Sequence, residues 1–518
     1  MVKVCNHARC SLASLLFVAV WSTINAAPFV GVNLGGWLLM EDWIFPEYFN
    51  GVQPRDEHGL ISHMGGNTNP NVTAFMQHHW DTFLTEEELD NMHEFGITHV
   101  RIPVGYWIVD WKQEDGFVDG GLYYLNRSIA WLQRRGMKAI LDLHALPGAQ
   151  TPKQSFTACA NCYSDGDNRM FWKEPYLKRG KEAMRRLAWL IRAYEEDPTT
   201  SNVVQGLELV NEPDDKKWKD VKSLYSDMVP FLRTILPVKY ALYLSFMNEP
   251  EVSAGWMRQK INEDPQNWTN VVYDRHLYHA FTDDDVWQGD ALKKTWSSQS
   301  TDSCKTCCRD RAFLAPLEGV PNIIGEWSLT VATLDSGEFK QNRFLQGYWA
   351  DQLSLWANLN NTQGSFFFTY KIGPQRRATD YFVNFDLLRL IRNHALPPPA
   401  TVNTSSVCPH RPLNKCPKPS ESVDWDWFCQ TWGQPTKAEL LAAERAAKKL
   451  ATEEAHSSYL LMLLFVGLLA ALFVLGRDQN QGDAKGKRKE LNVNQPPAEA
   501  AQLQMPAPYG TLSYGTDI

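Results

Sequence analysis

Side chains able to do acid–base or ionic chemistry recur at one kind of place in this chain, the last residues of short apolar runs. ITHVRI carries Arg101, KAILDLH closes on His144, and GLELVNEP closes on Asn211 and Glu212. NVVYDRHLY delivers His276 and Tyr278, and NIIGEW delivers Glu326. The first run, FVGVNL, leads through GGWLLM to Glu41, and GSFFFTYK ends on Tyr370 and Lys371. The tripeptide of Asn211, Glu212 and Pro213 is repeated at Asn248, Glu249 and Pro250, again after an apolar run. No Ser-His-Asp order or nucleophile elbow is present, so acyl transfer is poorly supported. What remains is a set of carboxylates with imidazoles and a guanidinium. Two facing carboxyls suit glycosidic bond cleavage, one protonating the leaving oxygen and the other attacking the anomeric carbon; a separation of about 5–5.5 Å gives retention of configuration.

These residues need elements that bring strand ends together. Eight strand candidates alternate with helical stretches: 29–34, 97–102, 138–143, 203–210, 239–245, 270–276, 322–327 and 364–370. EEELDNMHEFG (86–96), LNRSIAWLQRRG (125–136) and KRGKEAMRRLAWLIRAYEED (178–197) have helical spacing. Alternating β and α with eight strands predicts an α/β fold, a parallel (β/α)8 TIM barrel, whose site gathers at the C-terminal strand ends. A doubly wound sheet is the runner-up, but no Gly-rich phosphate fingerprint follows an early strand. Glu208 shares strand parity with Glu212 and lies deeper, so it reads as a paired interior acid.

The chain has 518 residues, 44% hydrophobic and 21% charged, enough for one large domain with appendages. Its 20 Trp residues fit sugar stacking or simply a large core. A net charge of −8 argues against nucleic acid as a partner. Lys3 and Arg9, the apolar SLASLLFVAVW and the small residues ending at Ala26 predict a signal peptide over 1–26. The barrel domain is expected over 27–396, a Pro/Cys-rich extension tied by disulfides over 397–435, and a helical stalk over 436–456. The uncharged run 457–476 predicts one transmembrane helix, and Arg477, Lys485, Lys487, Arg488 and Lys489 place the tail 477–518 on the cytoplasmic side. The expected location is therefore the cell surface, single-pass, catalytic domain outside. Eight cysteines beyond the signal peptide (Cys159, Cys162, Cys304, Cys307, Cys308, Cys408, Cys416 and Cys429) fit disulfides. CxxC at 159–162 and CKTCC at 304–308 have zinc-like spacing, but no Cys/His set completes a site, and no metal or cofactor is expected. Sequons stand at Asn71, Asn126, Asn267, Asn360 and Asn403. Tyr509 to Leu512 has the spacing of an endocytic sorting signal.

Six stretches, in order, are similar to glycoside hydrolase family 5, most of all to the fungal exo-β-1,3-glucanases. They are GVNLGGWLLMEDWIFPEYF (31–49), HVRIPVGYW (99–107), LDLHALPGAQ (141–150), GLELVNEP (206–213), VVYDRHLYHAF (271–281) and IIGEWS (323–328). The resemblance covers roughly 31–395. It implies Glu212 as acid/base and Glu326 as nucleophile. It implies that Arg101 keeps Glu326 charged, that Tyr278 donates to it, and that Asn211 holds the sugar 2-hydroxyl. His144 and His276 would orient these groups, and Glu41 would accept hydroxyl hydrogen bonds from the terminal glucose. An acid that protonates the leaving group needs a raised pKa, which burial or the field of Glu326 would supply to Glu212. The family has no catalytic acid at strand five, so Glu249 is expected to touch substrate only beyond the cleaved sugar. Where fungal relatives carry WTWK at strand eight, this chain has FTYK, which puts Tyr370 in the place of the sugar-stacking ring. Phe281 matches one ring of the outer subsite, and Phe156, in the loop after His144, is the candidate for the other. The implied partner is a β-glucan, bound by a monomer. A β-1,6-glucanase, a glucan transglycosylase and a non-enzymatic glucan receptor are the alternatives.

Overall fold

The computed structural model describes residues 28–158, 170–248, 250–279, 305–330, 342–374 and 383–408. Eight parallel strands close into a barrel in sequence order. They are β1 (Phe29–Asn33), β2 (His99–Gly105), β3 (Lys138–Ala145), β4 (Val204–Glu208), β5 (Ala241–Ser245), β6 (Val271–His276), β7 (Asn322–Trp327) and β8 (Thr362–Phe367). Helices Gly121–Arg134, Tyr176–Glu196, Trp218–Arg233, Pro250–Glu263 and Asn342–Ala357 lie between successive strands. The expected helix at 86–96 forms as Glu86–Phe95. Thr85 and Glu88 make a reciprocal cap at its start, and Gly96 stops it at φ 101°.

Strand periodicity sorts the side chains into two layers. Outward residues join a large apolar layer under the helices, and Trp37, Trp80, Trp327, Trp349 and Trp356 are sealed there. These indoles serve the core, as the plainer reading of the Trp content expected. Inside the barrel, Ile140, Tyr243, Val272, Ile323 and Phe366 form a small separate cluster. The inward positions closer to the C-terminal end carry charge instead of hydrocarbon.

One irregularity aims a key side chain. Asp274 pairs with Ile323 and Arg275 with Ile324, but His276 pairs with Glu326, so Gly325 is an extra residue in β7. A bulge of this kind turns the following side chain to the other face. Gly325 has no alternative, because a Cβ there would stand 2.2 Å from Asp274 Oδ1, which accepts the Gly325 N–H at 2.8 Å.

Two expected boundaries move. β4 ends at Glu208, so Asn211 and Glu212 lie beyond it, Glu212 at φ 41°. β8 ends at Phe367, so Phe368 to Tyr370 no longer alternate as strand residues. A disulfide joins Cys307, before β7, to Cys408, after the helix Leu387–Arg392, with Cα atoms 6.0 Å apart. The signal peptide, the stalk, the 457–476 span, the tail and most of the expected extension lie outside the described residues. Among the described residues no helix is long and apolar enough to cross a membrane.

Candidate active site

Arg101 is the hub of the barrel mouth and has no exposure to solvent. Its Nε donates to Glu208 Oε2 at 2.7 Å, and its Nη1 donates to Asn33 Oδ1 at 2.9 Å and Glu326 Oε1 at 2.8 Å. Its Nη2 donates to Asn211 Oδ1 at 2.9 Å and lies 3.0 Å from Asp142 Oδ2. Burial would discharge a lone guanidinium, but Asp142, Glu208 and Glu326 reverse this and raise its pKa well above the ordinary value. Only the closure of β1, β2, β3, β4 and β7 around one side chain produces such a set.

Glu326 is held through both oxygens, by Arg101 on Oε1 and by Tyr278 Oη, which donates to Oε2 at 2.7 Å. Burial and the facing Glu326 raise the Tyr278 phenol well above its usual pKa, so it remains a donor. Glu212, 19% exposed, is the most open of the group. His276 Nδ1 stands 2.7 Å from Glu212 Oε1 and 3.5 Å from Glu326 Oε2. One oxygen of each glutamate and a His276 nitrogen all lie within 4.8 Å of one another.

The protonation of this pair differs from the expectation. Burial does push the Glu212 carboxyl up, but hydrogen bonding and charge from His276, with help from His144 and Arg101, outweigh it, and the net shift is downward. Burial pushes His276 down, but Glu326, Asp274 and Glu212 hold it well above the usual imidazole value. The proton of the pair therefore rests on His276, next to Glu212, when the site holds no sugar.

His144 Nδ1 lies 2.5 Å from Asp142 Oδ2. Burial opposes its charge, but Asp142, then Glu41 and Glu326, raise its pKa. The Asn211 amide nitrogen is 3.4 Å from His144 Nε2. Gln150 ties these two strand exits together, its Nε2 donating to His144 O at 2.7 Å and Asn211 O at 3.0 Å. Glu41 reaches the same mouth. Burial raises its pKa to about 7, against the His144 charge and the Trp43 indole, which donates to Oε2 at 2.8 Å.

The aromatic wall is not where Tyr370 was expected to put it. Tyr370 is fully buried, with its hydroxyl 3.4 Å from Glu88 O in the helix Glu86–Phe95 and its N–H on Asn33 O. The chain has left the strand by Phe367, and parity no longer predicts its direction. Phe368 lies next to Trp43, the indole that hydrogen-bonds Glu41. It stacks on Trp43 at 5.7 Å, and Trp43 meets Phe385 at 5.1 Å, which in turn meets Tyr278 at 5.8 Å. Phe156 packs edge-on against His144 at 4.9 Å. Phe281 and Glu249 lie outside the described residues.

Sequence reasoning missed Asn33, Asp142, Gln150, Asp274, Phe368 and Phe385. Two of these had a legible signal, an Asp two positions before each site histidine. As for metals, Glu208, Asp274 and His276 form a three-donor group like that of Glu212, His276 and Glu326. Both groups share His276, whose nitrogens already face carboxylates, so the arrangement works as a hydrogen-bonded proton network. A third group, Cys307, Asp351 and Cys408, has its two sulfurs joined in the disulfide.

A closed barrel with paired glutamates at the ends of β4 and β7 defines a glycosidase class of site. The family model for cellulase, glycosyl hydrolase family 5, matches residues 64–362, and the chain belongs to that family. It is a glycoside hydrolase. It is 29% identical over 348 residues to a protein of Aspergillus fumigatus named "Probable glucan 1,3-beta-glucosidase A", covering 65% of this chain and 74% of that one. It is 30% identical over 307 residues to "Glucan 1,3-beta-glucosidase" of Blumeria graminis, covering 58% and 64%. The rutinosidase of Aspergillus niger shares the fold, with a TM-score of 0.56 and 20% identity over 71% of this chain and 98% of that one.

Proposed function

We propose that the protein is a retaining β-glucanase that removes glucose from the ends of β-1,3-glucan by double displacement. The observation that carries this is the facing glutamate pair, one oxygen of each within 4.8 Å of the other, which supports the close arrangement of retaining enzymes over the wider one that admits a water. The curated relatives named glucan 1,3-beta-glucosidase support the substrate.

Glu326 attacks the anomeric carbon. Its two oxygens are held by Arg101 and Tyr278, so its orientation is set before substrate arrives. Glu212 gives the leaving oxygen a proton and then deprotonates water. Sugar binding expels water from around Glu212, which disfavours its charged form and draws the proton across the 2.7 Å contact from His276 Nδ1. As Glu326 becomes a neutral ester, Glu212 loses a facing negative charge and becomes a weaker proton holder, the right sense for transfer to the leaving group. Asn211 holds the 2-hydroxyl, and Glu41 with Trp43 and Phe368 forms the floor and end wall for the terminal glucose. The signal and membrane segments expected from sequence support a location on the outer cell surface, and the Cys307–Cys408 disulfide fits an oxidising compartment.

The test is product analysis by proton NMR on linear β-1,3- and β-1,6-glucans, with Glu326→Gln as control. β-Glucose as the first product from the β-1,3 polymer is expected. α-Glucose first would refute retention, mixed oligomers would refute exo action, and cleavage of the β-1,6 polymer alone would reassign the linkage. Oligomers longer than the substrate would mark transglycosylation. Full activity in Glu326→Gln would overturn the mechanism.

A further inference from the structure

Directly beneath the two glutamates is a second carboxyl pair that this mechanism does not use. Glu208 on β4 and Asp274 on β6 are both sealed from solvent. Donor atoms of Glu208, Asp274 and His276 fall within 4.8 Å of one another. Each carboxyl has one satisfied oxygen: Glu208 Oε2 accepts from Arg101, and Asp274 Oδ1 accepts from Gly325 N–H. Each also has one buried oxygen with no donor among the described residues, Glu208 Oε1 and Asp274 Oδ2. A buried acceptor left unsatisfied costs on the order of 1–3 kcal/mol, more if charged. A single proton between the two carboxyls would satisfy both oxygens, where Asp274 Oδ2 otherwise faces only His276 Nε2, at 3.6 Å.

We propose that Glu208 is held as a neutral carboxylic acid that donates its proton to Asp274, and that it thereby positions His276, and through it Glu212, for catalysis. The inference rests on the glycosidase reading of the site above it. Asp274 Oδ2 lies 3.6 Å from His276 Nε2, while the other ring nitrogen faces Glu212. An ionised Asp274 sets how firmly the imidazole keeps the proton that Glu212 needs. Were Glu208 ionised too, a second negative charge would press on the same ring and hold that proton on His276.

The groups facing Glu208 agree with this assignment. Arg101 comes from β2, Asp142 from β3, Tyr243 from β5, Asp274 and His276 from β6, and Tyr225 from the helix Trp218–Arg233. One guanidinium and the His276 imidazolium leave three carboxylates, Asp142, Glu208 and Asp274, with one negative charge in excess. Burial, with Asp142 and Asp274, pushes Glu208 well above the usual carboxyl range even against Arg101. Burial also pushes Asp274 up, but His276, Arg101 and the hydrogen bond from Glu208 bring it below its usual value.

Infrared difference spectroscopy on the purified protein at neutral pH tests this without substrate. Wild type minus Glu208→Gln is expected to contain the carbonyl stretch of a protonated carboxyl. A difference confined to ionised carboxylate bands would overturn the proposal. Gln keeps both contacts, accepting from Arg101 and donating to Asp274, so Glu208→Gln should fold; failure to fold would show that an anion is required and would also overturn it. Asp274→Asn is the second variant. By NMR titration it should lower the His276 pKa by about one unit, a shift worth ~1.4 kcal/mol, while Glu208→Gln leaves that pKa in place. Equal shifts in both variants would contradict the assigned proton. Absence of hydrolysis on every glucan would remove the functional reading and leave these spectra to decide the proton on their own.

Discussion

β3 and β6 end in the same local pattern, an Asp two residues before a His, and use it in opposite ways. On β3, Asp142 takes His144 Nδ1 directly at 2.5 Å and shares Arg101. On β6, Asp274 Oδ1 takes the Gly325 amide and Oδ2 stands back from His276 Nε2 at 3.6 Å, which leaves His276 Nδ1 to face Glu212. The first histidine is pinned by its own strand. The second is free to exchange a proton across the mouth. Identical strand parity brings both Asp–His pairs inward, but what stands on the neighbouring strands decides their work. Next to Asp142 is the guanidinium of β2; next to Asp274 is the bulge of β7.

Removing the shared cation should have the largest effect on this contrast. Arg101→Met leaves Asp142, Glu208 and Glu326 facing one another in a sealed space, and unpairing a buried charge costs about 3–5 kcal/mol. Little soluble, folded protein is expected, and a normal denaturation midpoint would show that the hub is dispensable.

The two histidines should then separate. His276→Gln removes the proton next to Glu212, and kcat should fall by roughly 10²–10⁴, the usual worth of general acid–base catalysis. The loss should be far smaller on a nitrophenyl glycoside, whose leaving group needs no proton. His144→Gln should act mainly on KM and equally on both substrates. The same leaving-group dependence in both variants would erase the distinction between pinned and proton-exchanging histidines.

A buried acid outside both strands gives the smallest effect and a useful control. Glu57, sealed at the start of the helix Glu57–His63, accepts the Met40 N–H at 2.7 Å and is raised by burial to about 8. A carboxyl whose folded pKa is raised holds its proton in the folded chain while the unfolded chain has lost it. Its contribution to stability therefore falls as pH rises from about 4.5 to about 8, at no more than ~1.4 kcal/mol per pH unit. Glu57→Gln keeps an acceptor for Met40 and lacks this loss. Denaturation midpoints at pH 5 and pH 8 should show the variant gaining on wild type at the higher pH, with activity unchanged. A constant difference would mean that Glu57 is ionised throughout.

Strand ends were legible in the sequence because alternation and the polar residue at each terminus are local properties. All eight strands begin within two residues of where the pattern put them: 29, 99, 138, 204, 241, 271, 322 and 362 against 29, 97, 138, 203, 239, 270, 322 and 364. Arg101, His144 and His276 come to the mouth by this alternation, whereas Asn211, Glu212 and Tyr278 lie just past their strands and Glu326 is aimed by the bulge at Gly325. Tyr370 does not come to the mouth, because parity stops carrying information once β8 ends at Phe367, and the ring that stacks on Trp43 belongs to Phe368. The downward shift of Glu212 was equally out of reach, since it depends on a histidine 64 residues away in sequence and 2.7 Å away in space.

By itself the sequence determined the barrel and the order of its strands, because hydrophobic periodicity is written along the chain, while the roles expected of Glu212 and Glu326 came from the resemblance of the flanking stretches to the family. Only the tertiary structure decided where the protons lie. That depends on distances of a few ångströms between residues of different strands, in a space where burial makes every neighbouring charge count.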